Sequence, residues 1–315
     1  MTVGQYFKLV EMKTKAASMI PFCIGTLYAV FRFQEFRLTH FLLMLISLLS
    51  FDMATTAINN YIDYKKAVKT HGYGYEVHNA IVQFKLKEST VVGVIITLLF
   101  VAMTAGFVLF LQTDILILLL GGLSFMVGFL YSLGPIAISR MPLGELFSGL
   151  FMGFVIIFIS TYIHIDNQQL VTLFIENGYL DIHINIIEVL FIFFISIPAI
   201  IGIANIMLAN NICDIEEDIE NKRYTLPVYI GKPNALILFR CLYYASYLDL
   251  IALLLLQVNP IIPLLVLLTF IPVRKNVNMF IGKQTKAETF GLAVQNFMLT
   301  NVARIAAIGI AAIMM

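Results

Sequence analysis

Long apolar runs constrain this chain more than any other feature of its sequence. A helix needs about 20 consecutive apolar residues to cross the hydrocarbon core of a bilayer. Runs of roughly this length recur along the whole chain, at about 16–33, 38–58, 89–112, 114–133, 141–163, 187–211, 235–257, 260–273 and 290–315. They predict an all-α, polytopic membrane bundle of about nine transmembrane helices. The eighth run is short, because Pro260 and Pro272 bound it.

The composition excludes an ordinary soluble domain. The chain has 315 residues, of which 60% are hydrophobic and 12% charged, and its mean hydropathy is +0.91. Soluble domains are about 45–50% apolar and about 25% charged. The composition does not change along the chain, so we expect one integral membrane domain over residues 1–315, with the lipid bilayer as a partner and no nucleic acid. Cys23, Cys213 and Cys241 lie far apart, without the spacing of a metal site or a disulfide framework.

The distribution of basic residues predicts the orientation. With the N-terminus inside, the cytoplasmic loops are 59–88, 134–140, 212–234 and 274–289. These loops and the N-terminus hold most of the Lys and Arg residues, whereas the outside segments hold only Arg32 and Arg37. Cytoplasmic loops of multi-pass proteins generally carry such an excess of cations. We therefore expect a cell-membrane protein with its charged loops in the cytoplasm.

An acidic motif closes the sixth apolar run. Asn210-Asn211-Ile212-Cys213-Asp214 is followed by Asp218, and the residues at 210, 214 and 218 are spaced four apart. On a helix they form one polar ridge. Two carboxylates on one ridge at a membrane surface suit Mg²⁺, which takes oxygen ligands and commonly bridges to phosphate. Taken alone, the charged segment 216–223 is equally typical of a solvated loop.

A second copy of this pattern closes the second apolar run. Asn59-Asn60-Tyr61-Ile62-Asp63 repeats Asn-Asn-x-x-Asp on the same predicted side of the membrane. Two copies about half a chain apart suggest two helix ends that share one site. Metal ions and nearby cations can hold a diphosphate, and a diphosphate at the mouth of an apolar bundle implies an organic part within it. This setting favours ionisation of an allylic diphosphate, with aromatic faces around the resulting carbocation.

Four segments resemble one known family. They are Asn210 to Asp218 with Lys222-Arg223-Tyr224-Thr225-Leu226-Pro227-Val228 and Gly231, then Asn59 to Asp63, Tyr131-Ser132-Leu133-Gly134-Pro135, and Gly144-Glu145-Leu146. Together they resemble the UbiA-type intramembrane aromatic prenyltransferases. Within that superfamily the chain is most similar to the 1,4-dihydroxy-2-naphthoate polyprenyltransferases of menaquinone synthesis. We call Asn59 to Asp63 the first motif and Asn210 to Asp218 the second motif, after their order along the chain. The second motif is the specific one, and the other three segments support it.

The resemblance implies an activity and a set of site residues. The activity is transfer of a polyprenyl group from its diphosphate to a small aromatic acid, with 1,4-dihydroxy-2-naphthoate giving demethylmenaquinone. Asp63, Asp214 and Asp218 would bind Mg²⁺ and the diphosphate, and Tyr131 would shield the allyl cation. Glu145 would either orient the acceptor or cap the fifth helix. The residues that would assist in binding substrate are Asn59, Asn60, Asn210, Asn211, Lys66, Arg140, Lys222 and Arg223.

The chain departs from the family pattern at several positions. Asn60 and Ala67 stand where the family usually has acids, which leaves Asp63 as the only carboxylate on its ridge. We favour Asn60 as a neutral oxygen ligand, with compensation by Glu76 or Asp52 as the alternative. Cys213 replaces a common Arg, and Lys13-Thr14-Lys15 stands for the usual Arg-Pro near the first span, which makes Lys13 a candidate for phosphate binding.

Other functions remain open from the sequence. The acceptor could be 4-hydroxybenzoate, homogentisate or haem, and His71 and His78 could touch substrate. A cation-coupled secondary transporter would also carry repeated half-motifs and acids, and a binding module without catalysis is a third class. Outside the site, we expect Arg240 and Arg304 to pair with acids and Asp249 to pair with a neighbour or face the outer surface. Segment 164–186 is interpreted as a solvated loop or surface helix.

Overall fold

The computed structural model describes residues 1–66, 79–132, 137–166, 169–176 and 178–314. Eight helices in this part of the chain are long and apolar enough to cross a membrane. They are Met12–Phe33, Leu38–Lys65, Glu88–Gln112, Gly144–Tyr162, Ile186–Cys213, Lys232–Leu255, Ile261–Gly282 and Phe290–Met314. The shorter apolar helix Ile115–Tyr131 coincides with the fourth predicted run. The helical, polytopic architecture is confirmed: within the described residues, eight helices reach the length of a span and the fourth predicted run forms a ninth, shorter apolar helix.

The eighth predicted run is longer than its sequence suggested. The helical segment Ile261–Gly282 continues past Pro272. Pro272 is the third residue of the helix Phe270–Gly282, where the backbone N–H has no intrahelical partner to lose. Arg274 and Lys275 therefore lie in this helix and not in a loop, while the side of the membrane on which they lie stays a prediction.

The chain divides into two compact units, and the first consists of Met1–Met19 with Leu38–Leu133. A 3₁₀ turn, Met12–Lys15, precedes helix α2, which continues into the second unit. The helices that begin in this unit are α1 (Val3–Leu9), α2 (Ala16–Phe33), α3 (Leu38–Lys66), α4 (Ala80–Gln83), α5 (Glu88–Gln112) and α6 (Ile115–Ser132). Helix α3 packs along α5 and also contacts α6. The rings of Phe51 in α3 and Phe125 in α6 stack with their centroids 4.0 Å apart.

A buried ion pair fixes the start of α2 to the middle of α3. Lys15 is only 3% exposed, and its Nζ donates to Oδ1 of Asp52 at 2.6 Å and to Oγ1 of Thr56 at 2.6 Å. Ser18 Oγ donates to the other Asp52 oxygen at 2.5 Å. Both oxygens of Asp52 are thus engaged within this unit, so Asp52 is a structural anchor. Lys13, two residues before the buried Lys15, is exposed.

The second unit consists of Ile20–Arg37 with Gly134–Met315. Its helices after α2 are α7 (Gly144–Ser148), α8 (Ile156–Tyr162), α9 (Ile186–Cys213), α10 (Ile215–Glu220), α11 (Leu226–Ile230), α12 (Lys232–Ala245), α13 (Asp249–Leu255), α14 (Ile261–Leu267), α15 (Phe270–Gly282) and α16 (Phe290–Met314). Short 3₁₀ turns span Ile138–Arg140 and Ser246–Leu248, and a π-helical stretch, Gly149–Val155, joins α7 to α8.

Helix α9 is the centre of the second unit. It packs against the π-helical stretch, α16, α12 and α7. Gly149 and Gly153 allow this closeness, because an added Cβ would lie 2.8 Å and 2.6 Å from backbone atoms of Ile200. At the other end of α9, Ile212 joins a buried cluster with Phe239 and Phe280. This packing fixes the C-terminal end of α9, where the second acidic motif lies.

A second buried ion pair lies within the spans of this unit. Arg304 and Asp249 are each 2% exposed, and two guanidinium nitrogens of Arg304 donate to the two Asp249 oxygens at 2.7 Å each. The Arg304 guanidinium also lies 5.0 Å from the ring centroid of Tyr247. Intramembrane charges are costly unless paired, so this pair is structural, as predicted. Arg240 is exposed.

Segment 164–186 contains a β-hairpin, so its interpretation as a loop or surface helix was wrong. Strand β1 (Val171–Glu176) pairs antiparallel with β2 (Tyr179–Ile184), and Leu173 lies opposite Ile182. Gly178, at φ +82, occupies the turn, where the left-handed region favours glycine. Alternation of apolar with polar residues along β2 is the sequence signal that supports a strand.

Candidate active site

The second motif lies where α9 gives way to the short helix α10. Asp214 is the cap residue between them, and its N–H donates to the carbonyl of Asn210 at 3.2 Å. The N–H of Asp218 in turn donates to the carbonyl of Asp214 at 2.7 Å. The helical turn therefore continues through the junction. It holds Asp214 and Asp218 one turn apart, as the spacing predicted.

Asp218 is the most enclosed acid of the motif. It is 2% exposed, and Thr225 Oγ1 donates to its Oδ2 at 2.9 Å. The Nε of Arg223 lies 3.4 Å from the other oxygen, and the Arg223 N–H donates to the Asp218 carbonyl at 2.8 Å. Burial raises the pKa of the Asp218 carboxyl, and the Arg223 guanidinium opposes that rise.

Asp214 is paired with a lysine that the sequence did not single out. Lys286 Nζ lies 2.5 Å from Asp214 Oδ2, and the Asp214 side chain is 12% exposed. Lys286 belongs to the segment between α15 and α16, far from Asp214 along the chain. The only sequence signal was its position in a predicted cytoplasmic loop. Each acid of the second motif thus has a cation beside it.

Two further segments reach the second motif. The Tyr224 N–H donates to the carbonyl of Arg140 at 3.0 Å, while the Arg140 side chain is exposed. The Asn211 side-chain amide donates to Oε1 of Glu145 at 2.8 Å. The structure therefore brings the start of α7 and the turn before it against the motif, as expected if these segments serve one site.

Lys222 has an unusual backbone conformation at the end of α10. Its φ is +53, which is rare for residues other than Gly, Asn and Asp. Its N–H donates to the carbonyl of Ile219 at 3.2 Å, and its side chain is exposed. A lysine occupies a backbone position that favours glycine, which costs backbone strain.

The first motif occupies the last two turns of α3, in the first unit. Asn59 is half-buried and Asp63 exposed. Asn60 is buried, and its side-chain amide donates to the carbonyl of Leu9 at 3.0 Å. The backbone carbonyl of Asn60 accepts from the side-chain amide of Asn79 at 2.8 Å. Asn60 therefore anchors the N-terminal segment, and its role as a metal ligand stays a prediction.

The remaining predicted site residues of this unit are described only in part. Tyr131 is half-buried in the last turn of α6. Lys66 is the last residue of α3, and its side chain lies outside the described part. The predictions that concern Ala67, His71, Glu76, His78 and Gly134-Pro135 also fall on residues outside the described ranges.

The second motif suits a magnesium ion by the chemistry of its donors. Asp214 and Asp218 offer carboxylate oxygens from residues one helical turn apart. Within the described ranges, no three His, Cys, Asp or Glu residues form a cluster that could hold a metal. Mg²⁺ does not require such a cage, because it keeps several waters and is usually bound by one or two carboxylates with substrate phosphates.

These features define a class: a multi-pass helical membrane protein with a cation-flanked pair of acids at the end of a central span. Residues 18–291 match the UbiA prenyltransferase family. The chain belongs to this family.

Relatives and solved structures agree with this assignment. The chain is 32% identical over 253 residues to 1,4-dihydroxy-2-naphthoate octaprenyltransferase of Bacillus subtilis (strain 168), a match that covers 80% of this chain and 74% of that protein. Its fold is similar to that of a UbiA homolog from Archaeoglobus fulgidus bound to GPP and Mg²⁺ (TM-score 0.66, 16% identity, 99% of this chain and 100% of that one). It is also similar to the apo structure of a UbiA homolog from Aeropyrum pernix K1 (TM-score 0.66, 17% identity, 96% and 98%).

Proposed function

We propose that this protein transfers a polyprenyl group from an allylic diphosphate to 1,4-dihydroxy-2-naphthoate, with Mg²⁺ as cofactor. The direct product would be demethylmenaquinol, the hydroquinone form of demethylmenaquinone, released together with CO₂ from the acceptor carboxylate and diphosphate from the donor. The observation that carries the proposal is the pairing of each acid of the second motif with a cation, Asp214 with Lys286 and Asp218 with Arg223. A magnesium–diphosphate combines a cation with an anion. Carboxylates can bind its metal, and neighbouring cations can bind its phosphate oxygens.

The acids and cations would have separate tasks. Asp214 and Asp218 would hold Mg²⁺, which when bound neutralises charge on the departing diphosphate. Lys286 and Arg223, whose side chains are 52% and 33% exposed, would contribute positive charge to the phosphate oxygens. Lys222 and Arg140, both exposed, would add charge to the same anion.

The first motif would serve the same reaction from its own unit. We assign Asp63 to metal binding, Asn59 to substrate binding and Lys66 to the diphosphate, because the motif repeats the pattern of the second one. Tyr131 would present its ring to the allyl cation, since aromatic faces attract positive charge. Asn210 would assist at the second motif. The positive-inside distribution of charge supports a cytoplasmic location for these residues.

The choice of acceptor rests on the named relative. The Bacillus subtilis protein that is 32% identical to this chain is named for its action on 1,4-dihydroxy-2-naphthoate. Nothing in the second motif discriminates between aromatic acids by itself. A panel of acceptors is therefore part of the test.

Purified protein in lipid nanodiscs, with Mg²⁺ and a radiolabelled allylic diphosphate, would test the proposal. We expect pyrophosphate release and label transfer with 1,4-dihydroxy-2-naphthoate, little with 4-hydroxybenzoate or homogentisate, and none after chelation of Mg²⁺. Lys286→Met should raise KM for the diphosphate, whereas Lys283→Met, a neighbouring exposed lysine paired with Glu288, should not. Absence of pyrophosphate release with every acceptor would contradict the proposal and favour a transporter.

A further inference from the structure

The side chains of Glu145 and Asn211 form a buried pair with two hydrogen-bond acceptors left over. Glu145 is 6% exposed and Asn211 1% exposed. The amide nitrogen of Asn211 donates to Oε1 of Glu145 at 2.8 Å. Within the described part of the chain, Oε2 of Glu145 and Oδ1 of Asn211 have no hydrogen-bond partner and are shut off from solvent.

Two orphan acceptors in one buried pair are costly. Each buried polar group without a partner destabilises a fold by about 1–3 kcal/mol, and native structures keep few such groups without a functional reason. A leucine and an alanine would fill the same space without this penalty. A ligand that supplies a donor at this position would remove part of this penalty.

The position of the pair places that ligand at the candidate active site. Asn211 is one residue from Asn210 and less than one helical turn from Asp214. Glu145 lies in the first turn of α7, which packs directly against α9. A ligand bound to this pair would lie beside the reacting diphosphate.

We propose that Glu145 and Asn211 form the subsite for a ring hydroxyl of the aromatic acceptor, an inference that rests on the proposed function. A phenolic O–H donates one hydrogen bond, which would satisfy either Oε2 or Oδ1. A carboxylate of the substrate would instead be repelled by Glu145. The acceptor's acid group therefore points away from the pair and its hydroxyl points toward it.

This arrangement has a chemical consequence. A carboxylate that accepts a hydrogen bond from a phenolic hydroxyl draws the proton toward itself and leaves more electron density in the ring. The ring carbons adjacent to the hydroxyl-bearing carbon then attack the allyl cation more readily. Charge-assisted hydrogen bonds of this kind are stronger than neutral ones, so the pair would both orient and activate the acceptor.

Binding of naphthoates in the absence of any prenyl diphosphate tests the subsite separately from turnover. The probes are 1,4-dihydroxy-2-naphthoate and 1,4-dimethoxy-2-naphthoate, followed by their own fluorescence anisotropy. We expect the dihydroxy compound to bind the unmodified protein about 10- to 100-fold more tightly than the dimethoxy compound, which has no donor. Equal affinities would overturn the inference without recourse to any variant.

The matched variants are Glu145→Gln and Glu288→Gln. Gln at position 145 keeps the size of the side chain and replaces the free acceptor by a donor, so the advantage of the dihydroxy compound should disappear. Glu288 is an exposed residue paired with Lys283, and its variant should bind as the unmodified protein does. Retention of the full advantage in Glu145→Gln would overturn the inference. If binding follows these expectations but no prenyl transfer occurs with any acceptor, the proposed function fails and the subsite stands.

A different observation concerns the β-hairpin. Leu180, Ile182 and Ile184 share one face of β2 and are 57%, 54% and 52% exposed. The opposite face of that strand presents Asp181 and His183. Exposed apolar side chains in such a row are unusual on a surface that meets only water.

The hairpin is continuous with a membrane span. Only Asn185 separates Ile184 from Ile186, the first residue of the span Ile186–Cys213, and Ile186 and Ile187 are themselves 68% and 66% exposed. The Asn185 N–H donates to the carbonyl of Leu170 at 2.9 Å, which ties the base of the hairpin to the start of α9. We infer that the hairpin lies on the bilayer, with its apolar face among the lipid headgroups and acyl chains.

Single tryptophans can test this placement, because the chain contains none. Ile182→Trp and His183→Trp place the probe on opposite faces of one strand that tolerates aromatic residues. In nanodiscs with brominated lipids we expect strong quenching of fluorescence for the first and clearly weaker quenching for the second. Equal quenching of both, or protection of Ile182→Trp by a second copy in a way that depends on protein concentration, would overturn the inference.

Discussion

The ends of α3 and α9 carry the same five-residue pattern, and each uses it in a comparable way within its own unit. The second Asn is buried in both and donates a hydrogen bond to a distant segment: Asn60 to the carbonyl of Leu9, and Asn211 to the carboxylate of Glu145. The first Asn and the Asp, four residues apart, remain half-buried or exposed. In each motif the second Asn is therefore a buried structural residue, while the first Asn and the Asp are more accessible.

The difference between the two ends lies in charge. The α9 end has two acids, each beside a cation, and its anchoring Asn meets a carboxylate. The α3 motif has one acid, Asp63, and its anchoring Asn donates to the carbonyl of Leu9 at 3.0 Å and to the carboxylate of Glu11 at 3.4 Å. If the proposed function holds, we expect the α9 end to contribute more to metal binding than the α3 end.

The largest expected effect is on the second motif. Asp218→Asn and Asp214→Asn keep the side-chain size and remove a metal ligand, so kcat should fall by at least about 10²–10³-fold, comparable with the loss of one strong electrostatic contact to the transition state. Steady-state kinetics with saturating Mg²⁺ would measure this, with Glu288→Gln as control. Rates like those of the unmodified protein in both variants would remove the site assignment.

A smaller effect is expected at the first motif. Asp63→Asn should reduce kcat/KM by about 10- to 100-fold, the equivalent of one hydrogen bond or contact to a charged group. The same assay would compare it with Asp218→Asn. A loss equal to that of Asp218→Asn would show that the two helix ends contribute equally to catalysis. It would contradict the expectation that the α9 end contributes more.

Acids introduced at positions 60 and 67, where the family usually carries them, should separate structural anchoring from metal binding in the first motif. Asn60→Asp replaces the donor to Leu9 by a buried carboxylate, so the unfolding free energy should fall by about 1–3 kcal/mol. Ala67→Asp, outside the described residues, should leave stability unchanged and lower the Mg²⁺ concentration needed for half-maximal rate. Thermal unfolding in detergent measures the first, and a Mg²⁺ titration of activity the second. An unchanged melting temperature for Asn60→Asp would show that its anchor role is dispensable.

The smallest expected effect is at Lys222, where backbone and charge can be separated. Lys222→Gly relieves the positive φ and Lys222→Ala does not, so the Gly variant should be more stable by about 1 kcal/mol. Both remove the same ammonium group and should raise KM for the diphosphate equally. Different KM values would mean that the backbone conformation, and not the charge, serves the substrate.

The spans and the second motif could be predicted from the sequence because local patterns determine them. Apolar runs of sufficient length predicted the spans, and the four-residue spacing predicted that Asp214 and Asp218 share a helical turn. Partners that meet only through tertiary packing could not be predicted. Lys286 beside Asp214 and the Glu145–Asn211 hydrogen bond join segments that are far apart in the sequence.

The structure contradicts the sequence-based predictions for the eighth span, for the loop that follows it and for segment 164–186. Pro272 suggested an early end for the eighth span, but proline is tolerated in the first turn of a helix. That error also placed Arg274 and Lys275 in a loop. The hairpin was missed because two short strands give a weaker signal than an apolar helix, and the acidic residues of segment 164–186 suggested a solvated surface.

Binding of an unreactive substrate analogue tests the central claim most directly. Isothermal titration calorimetry of geranyl S-thiolodiphosphate against the purified protein in nanodiscs, with and without Mg²⁺, reports whether the acids act through a metal. We predict binding that requires Mg²⁺ and is at least about tenfold weaker in Asp214→Asn and Asp218→Asn, since each removes about 1.4 kcal/mol or more. Equal affinity with and without Mg²⁺, or unchanged affinity in both variants, would contradict the account.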